Sequence, residues 1–249
     1  MNVNKREEII LKLLSEEGEI SVQALSEKLK VSQVTIRSDL NNLSNKQLII
    51  RTRGGAISAS HPIIREQQNQ NPHKKEAIAK KAAELVNEGD SVMICNGTTS
   101  ALIARHLLLK KNLHIVTNST LILPYARVNT GLQVTFVGGE FRPQTEGVVG
   151  PIAERQLREY HVSIAFLGTD GITLEHGLTT ALPENAEVLR TMCAQADKTV
   201  LVADSSKFGK KGFVRILPIE GIDVLITDKD FPVEALEKMK ELGVQVLTV

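Results

Sequence analysis

From Lys74 onward the sequence alternates short apolar runs with helical stretches, and no other feature limits its fold so tightly. The runs fall at 92–95, 113–116, 134–137, 164–167, 200–203, 224–226 and 244–247, and the helical stretches include 78–86, 100–109, 186–196 and 233–242. Short runs that are apolar at consecutive positions need cover on both faces, so the alternation predicts an α/β domain with a parallel or mostly parallel sheet between two helical layers. Punctuation agrees: Pro183 and Pro232 suit first helical positions, and Gly89 and Gly243 suit helix ends.

The first sixty residues follow a different rhythm. Asn4 and Glu7 have capping-box spacing, Ile9, Ile10, Leu13 and Leu14 give an apolar helical stripe, and Gly18 ends it. Glu19 and Ile20 are strand-like, and Ser21 caps a second helix carrying Ala24, Leu25 and Leu29. Val31 and Ser32 break and re-cap the chain, and a third helix places Ile36, Leu40 and Leu43 on one side. An extended stretch, 48–53, then turns at Gly54 and Gly55. Three helices followed by a basic hairpin make a winged helix-turn-helix, whose third helix enters the DNA major groove. Ser32, Gln33, Thr35, Arg37, Ser38 and Asn41 are then the donor-rich outward set, with Arg51 and Arg53 on the wing. Net charge is +1, which selects no partner, but between Lys28 and Arg53 six cations face one anion, a local +5. Such a patch is what a phosphate backbone attracts. On periodicity alone, an amphipathic three-helix domain with a solvated charged strand fits as well.

In the second domain, Asn96-Gly97-Thr98-Thr99-Ser100 follows an apolar strand and opens a helix. Backbone N–H groups and the positive helix end favour a phosphate there, although Gly and Thr at such a turn also serve as plain caps. Other strand ends carry Thr117-Asn118-Ser119, Gly138-Gly139-Glu140, Gly168-Thr169-Asp170-Gly171 and Asp204-Ser205-Ser206-Lys207. Ligands of open parallel sheets bind outside the carboxyl ends of strands, so these clusters predict one crevice for a small polar, phosphorylated ligand. Lys207 and Lys75 are the cations expected to meet its charge.

Several classes are excluded on arithmetic. The longest stretch without Asp, Glu, Lys or Arg is 112–126, 15 residues, against about 20 for a membrane span. The start, 1–8, passes straight into charges and is not a signal peptide, so a cytoplasmic location is expected. Cys95 and Cys193 and the six histidines show no disulfide framework or metal spacing, and no metal or cofactor is expected. The stretch 58–73 holds Ser58, Ser60, Pro62, Gln67, Gln68, Asn69, Gln70, Asn71 and Pro72, a linker composition. The expected organisation is therefore a DNA-binding domain over 1–57, a linker over 58–73, and an effector and oligomerisation domain over 74–249.

Residues 20–56, with Val31-Ser32, Thr35-Ile36-Arg37-Ser38-Asp39-Leu40 and Arg53-Gly54-Gly55-Ala56, closely resemble the DNA-binding domain of DeoR-type bacterial transcription regulators. The remainder resembles their effector domain through Gly97-Thr98-Thr99, Thr117-Asn118-Ser119, Gly138-Gly139, Phe166-Leu167-Gly168, Gly177-Leu178-Thr179-Thr180 and Asp204-Ser205-Ser206-Lys207-Phe208-Gly209. The resemblance implies a winged-helix repressor of carbohydrate metabolism, not an enzyme. Its C-terminal domain would share the fold of ribose-5-phosphate isomerase and sense a phosphorylated sugar or sugar derivative. Operator DNA and a second copy of the chain, as dimer or tetramer, are the expected partners. The effector set is Lys75, Asn96, Gly97, Thr98, Thr99, Asn118, Gly138, Gly139, Asp170, Glu187, Asp204 and Lys207. A sugar-phosphate isomerase using Asp170, Glu187, Asp204 and Lys207 is the rival reading, and the N-terminal unit weighs against it. Three departures stand out. Ser38 occupies a position where family members commonly have Arg, which removes an expected DNA contact. Cys95-Asn96 stands where many carry Asp followed by Ser or Ala, and Leu189 where many carry Lys, which leaves the ligand's identity open.

Overall fold

The structure, a computed structural model, describes residues 4–46, 48–58, 61–129 and 131–249, with Ser15 through its backbone alone. Met1 to Val3 of the charged start, and Ala59 and Ser60 of the polar stretch, lie outside the described residues. The chain divides into two compact units, Met1–Gln70 and Asn71–Val249.

In the first unit α1 (Lys5–Glu17) begins with the capping box expected of its sequence. Asn4 accepts from the Arg6 and Glu7 amides at 3.0 and 2.9 Å, and Glu7 accepts from the Asn4 amide at 3.0 Å. Strand β1 (Glu19–Ser21) leads into α2 (Val22–Leu29), capped by Ser21, and α3 (Gln33–Asn45), capped by Ser32. Strands β2 (Ile49–Arg51) and β3 (Gly55–Ser58) form the wing, and the sheet order is β1-β3-β2. Ile10, Leu14, Leu25, Ile36, Leu40 and Leu43 are fully buried in one cluster, each contributing about 1.5–3 kcal/mol of apolar burial.

The polar stretch 58–73 is not an unstructured linker. Pro62 opens α4 (Pro62–Asn69), His61 accepts from the Ile63 amide at 3.3 Å, and Ile64 is buried. Pro72 opens α5 (Pro72–Glu84), six residues before the apolar pattern begins at Ile78. Proline at a first helical position lacks only an N–H that would be unpaired anyway, so these prolines start helices instead of bounding a loop. Gly89, expected at the end of α5, stands in a later turn at φ +86°, while Gly243 at φ +90° does follow its helix.

The second unit is a seven-stranded, all-parallel sheet covered on both faces. Its strands β4 (Ser91–Ile94), β5 (Leu113–Thr117), β6 (Leu132–Phe136), β9 (Val162–Leu167), β12 (Ala196–Val202), β14 (Val224–Thr227) and β15 (Gln245–Thr248) stand in the order β15-β14-β12-β9-β4-β5-β6. Alternation along β4 builds both cores. Val92 and Ile94 join α5 and α6 (Thr98–His106), while Met93 joins α8 (Pro151–Leu157), α9 (Pro183–Ala194) and α10 (Val233–Glu241). A short helix α7 (Leu123–Ala126), a hairpin of β7 (Glu140–Arg142) and β8 (Gly147–Val149), and a small antiparallel sheet of β10 (Gly171–Thr173), β11 (Gly177–Thr180) and β13 (Val214–Leu217) complete it.

Sequence order runs from β4 outward through β5 and β6, then returns to β9 on β4's other side and continues to β15. The strand order therefore reverses between β4 and β9, and the crevice beyond their carboxyl ends is where such sheets hold ligands.

Candidate nucleic-acid interface and effector site

In the first unit, carboxylates are withdrawn from the outer face of α3. Asp39, 3% exposed, is gripped by Arg6 through two bonds, with Nη2 to Oδ1 at 2.9 Å, which pushes the Arg6 pKa up. Glu7, equally buried, is held below the usual carboxylate range by Lys46 at 2.8 Å and by the Asn4 amide. Lys28 turns onto Glu17. Two of the six counted cations are thus matched by acids outside the counted stretch, and the local excess is smaller than +5.

What remains outward is selective. Gln33, Arg37 and Ser38 are exposed and, among the described residues, make no side-chain hydrogen bond. Ser32 and Thr35 are engaged with each other at 2.9 Å, and Ser32 accepts from the Thr35 amide, so their hydroxyls shape the helix start. Arg51 reaches back from β2 to Asn41 Oδ1 at 3.2 Å and the Arg37 carbonyl at 3.4 Å, which ties wing to helix. Arg53, in the bend after the strand, is exposed. Arg51 and Arg53 alternate with Thr52 in the sequence, which on an extended strand would point both to one side, but β2 ends at Arg51.

In the second unit, Gly97 takes φ +146° and starts α6 without a side-chain cap, which leaves the first amides of that helix available. Lys75 crosses from α5, 3% exposed, and donates to Thr98 Oγ1 at 3.2 Å. Burial pushes its pKa down to about 8, Asp204 opposes that, and the neighbouring Lys207 charge adds to it. Lys207 closes a short 3-10 turn, Ser205–Lys207, after β12 and is half-buried, its side chain making no hydrogen bond or ion pair among the described residues. The Lys75 ammonium therefore stands beside an open helix N-terminus and feels the charge of Lys207. Asp204 is 1% exposed; burial pushes its pKa up, yet hydrogen bonds from Ser206 and Asn71, with the Lys75 charge, hold it below its ordinary value.

The other expected residues fare unequally. Thr98 and Thr99 sit in the first turn of α6. Gly139, at φ +146°, passes Val149 so closely that a Cβ would lie 2.7 Å from its carbonyl oxygen, and the Gly138 amide donates to Gln156 at 2.7 Å. Asp170 accepts from Thr180 Oγ1 at 2.8 Å and the Ala181 amide at 3.0 Å, both at Oδ2. Asn118 is fully buried and saturated: it accepts from the Asn96 amide and donates to Asn96 Oδ1 and the Val148 carbonyl, so it fastens β8 to the strand ends. Glu187 is exposed and paired with Arg190, whose guanidinium bonds β13 carbonyls, which takes it away from the strand ends. Leu189 is core, 2% exposed.

Sequence reasoning missed three contributors and, for Cys95, noted the departure without its structural role. Lys74 spans Ser205 Oγ, Asp228 and Asp230 at 2.9, 2.7 and 2.6 Å. Asn71 donates to Asp204 Oδ1 at 2.9 Å. Cys95, fully buried with its thiol pKa pushed up by burial, accepts from the Gly168 amide at 3.1 Å and joins the ends of β4 and β9. Asn185, 7% exposed, donates to Thr180 and keeps a buried amide oxygen unpartnered. The Lys74-Lys75 doublet opening a helix was the one visible signal among them. Among the described residues no group of His, Cys, Asp and Glu could hold a metal ion, and no helix is long and apolar enough to cross a membrane.

Residues 6–61 match the DeoR-like helix-turn-helix domain and residues 70–229 the DeoR C-terminal sensor domain. The HTH-type transcriptional regulator GlpR of Haloferax volcanii is 36% identical over 98% of this chain and 96% of its own length. The glycerol-3-phosphate regulon repressor of Escherichia coli K12 is 29% identical over 99% of each. Among solved structures, ribose 5-phosphate isomerase A of Methanocaldococcus jannaschii superposes with a TM-score of 0.41 and 21% identity, covering 56% of this chain and 55% of that one.

Proposed function

The chain belongs to the DeoR family of transcriptional regulators, and on that footing we propose that it represses a carbohydrate-utilisation operon and leaves its operator when a phosphorylated sugar or sugar derivative binds the second unit. One observation carries the ligand's chemistry: the buried Lys75 donates to Thr98 at the uncapped start of α6, within the influence of the Lys207 charge, at the point where the strand order reverses. Burial, with the Lys207 charge adding to it, lowers the affinity of Lys75 for its proton, and a phosphate beside it relieves that cost while receiving backbone N–H groups. A relative named for a glycerol-3-phosphate regulon is consistent with this chemistry.

On the DNA side, α3 lies in the major groove, with Gln33, Arg37 and Ser38 free to meet bases or phosphates and Ser32, Thr35 and Asn41 presenting atoms already engaged in the helix start and the wing. Arg53 meets the backbone. The protein acts as a dimer or tetramer, because half-sites are read by symmetric copies.

The test is an operator titration with and without a panel of phosphorylated sugars and their unphosphorylated counterparts. Release by a phosphorylated compound alone is expected, and Lys207→Ala should keep operator affinity while losing that release. If Lys207→Ala is folded and still lets go of DNA at wild-type ligand concentrations, the phosphate site is elsewhere.

A further inference from the structure

The outward face of α3 contains one residue that its polar neighbours do not explain. Val34 stands in the first turn of the helix, and 74% of it is exposed. It precedes the fully buried Ile36 by two residues, which on a helix of about 3.6 residues per turn turns it to the side opposite the core. Arg37, Ser38 and Asn41 follow at spacings of three, four and seven, so Val34 begins the same stripe. A branched apolar side chain at the head of that stripe gains nothing from water. Nor does it cover any part of the first unit's own core, whose members are Ile10, Leu14, Leu25, Ile36, Leu40 and Leu43 with their neighbours.

The major groove offers a single apolar feature on its floor, the C5 methyl of thymine, and recognition helices meet base edges with their N-terminal residues. We infer that Val34 reads a thymine methyl in each half-site, with Gln33 and Arg37 engaging the base pairs on either side. This rests on the reading of the first unit as the DNA reader. It names a specificity determinant that a polar inventory of the helix passes over. Arg37 and Ser38 can supply hydrogen bonds to several bases, whereas a methyl contact separates T·A from the other three pairs by an apolar surface alone.

The experiment first selects preferred duplexes from a random pool with the full-length protein, then replaces each thymine of the selected site by deoxyuridine, which removes the methyl and nothing else. Wild-type protein should lose about fourfold in affinity at one thymine per half-site, the worth of one buried methyl-sized group. Val34→Ala should bind the thymine and deoxyuridine duplexes alike, both at roughly the weakened wild-type level, with an unchanged melting temperature. If every deoxyuridine duplex binds the wild type as tightly as the parent, or if Val34→Ala still distinguishes the pair fourfold, the assignment is overturned while sequence-specific binding stands. A pool that yields no preferred sequence overturns this inference together with the reading beneath it.

Discussion

At the scale of single residues, exposure and engagement divide side chains that the sequence presents as equals. Arg37 is free at the protein surface, so Arg37→Ala should cost about 1–3 kcal/mol at a cognate site and relax selection at one base pair. Arg53→Ala should instead weaken cognate and random duplexes by the same factor; equal loss of selectivity for both variants in competition binding would contradict this division. Arg51 belongs to neither class, since its guanidinium is spent on Asn41 and the Arg37 carbonyl. Lys75 yields a pH prediction. Its pKa of about 8 lies below the ordinary lysine value of 10.5 because of burial, so its contribution to stability rises as pH climbs from about 8 to 10.5, where the folded state has already shed the proton. Ligand binding has the opposite sign, because a phosphate favours the charged ammonium. Effector affinity should fall as pH rises above 8, and fall again below about 6 as the phosphate gains its proton. Calorimetric titration checks this, and Lys75→Met should bind weakly with no alkaline limb. An alkaline limb that survives in Lys75→Met would place the titrating group elsewhere. Residue identity alone could not separate these cases: Asn118 and Asp204 look equally polar at strand ends, but only the fold reveals that one is saturated and the other faces a cation.

At the scale of elements, the sequence was legible wherever a segment's own periodicity decides its state. The seven parallel strands and helices α1 to α3 carry their apolar patterns and caps within themselves, and the capping box at Asn4 and Glu7 was readable to the residue. The strands that went unread are either very short or paired with a distant partner. β13 pairs with β11 across more than thirty residues, and β7 and β8 are three residues each. The α4 helix was hidden by composition, since Gln, Asn and Pro signal a linker although Pro and Gln both suit helix positions. Gly54 and Gly55 looked interchangeable as turn residues, and the wing distinguishes them. A Cβ on Gly55 would lie 2.0 Å from the Ile20 carbonyl oxygen, where β3 meets β1, while one on Gly54 meets nothing within 4 Å. Gly55→Ala should therefore destabilise the first unit by about 1–3 kcal/mol or more and abolish operator binding. Gly54→Ala, whose backbone has no positive φ, should be nearly neutral. Thermal melting of the two variants decides it: a Gly55→Ala protein with a wild-type melting profile would mean that β1 and β3 do not pair this closely.

At the scale of the whole molecule, the two units must be coupled if the effector is to govern DNA, and coupling has consequences that need no knowledge of how they are arranged. The first unit offers a small, basic surface, so selective binding calls for two copies, and sedimentation at micromolar concentration should give a mass of at least two chains. A single-chain mass with operator present would remove the premise of paired half-sites. If a phosphorylated effector lowers operator affinity by a factor α, linkage requires operator DNA to lower effector affinity by the same α. With typical couplings of about 1–3 kcal/mol, α lies between roughly 5 and 150. Titrating effector into the free protein and into the operator complex should give two dissociation constants in that ratio, matching the ratio from DNA titrations with and without effector. Lys207→Ala should shift both effector constants upward while leaving α nearly unchanged, because it weakens phosphate binding in either state. Should α itself collapse to one in a folded Lys207→Ala protein, the lysine would belong to the transmission between units and not to phosphate binding. Effector constants that agree with and without operator, in a wild-type protein whose DNA affinity still falls on adding effector, would violate linkage. That pattern would mean that the added compound acts through the DNA or the medium and not through the second unit.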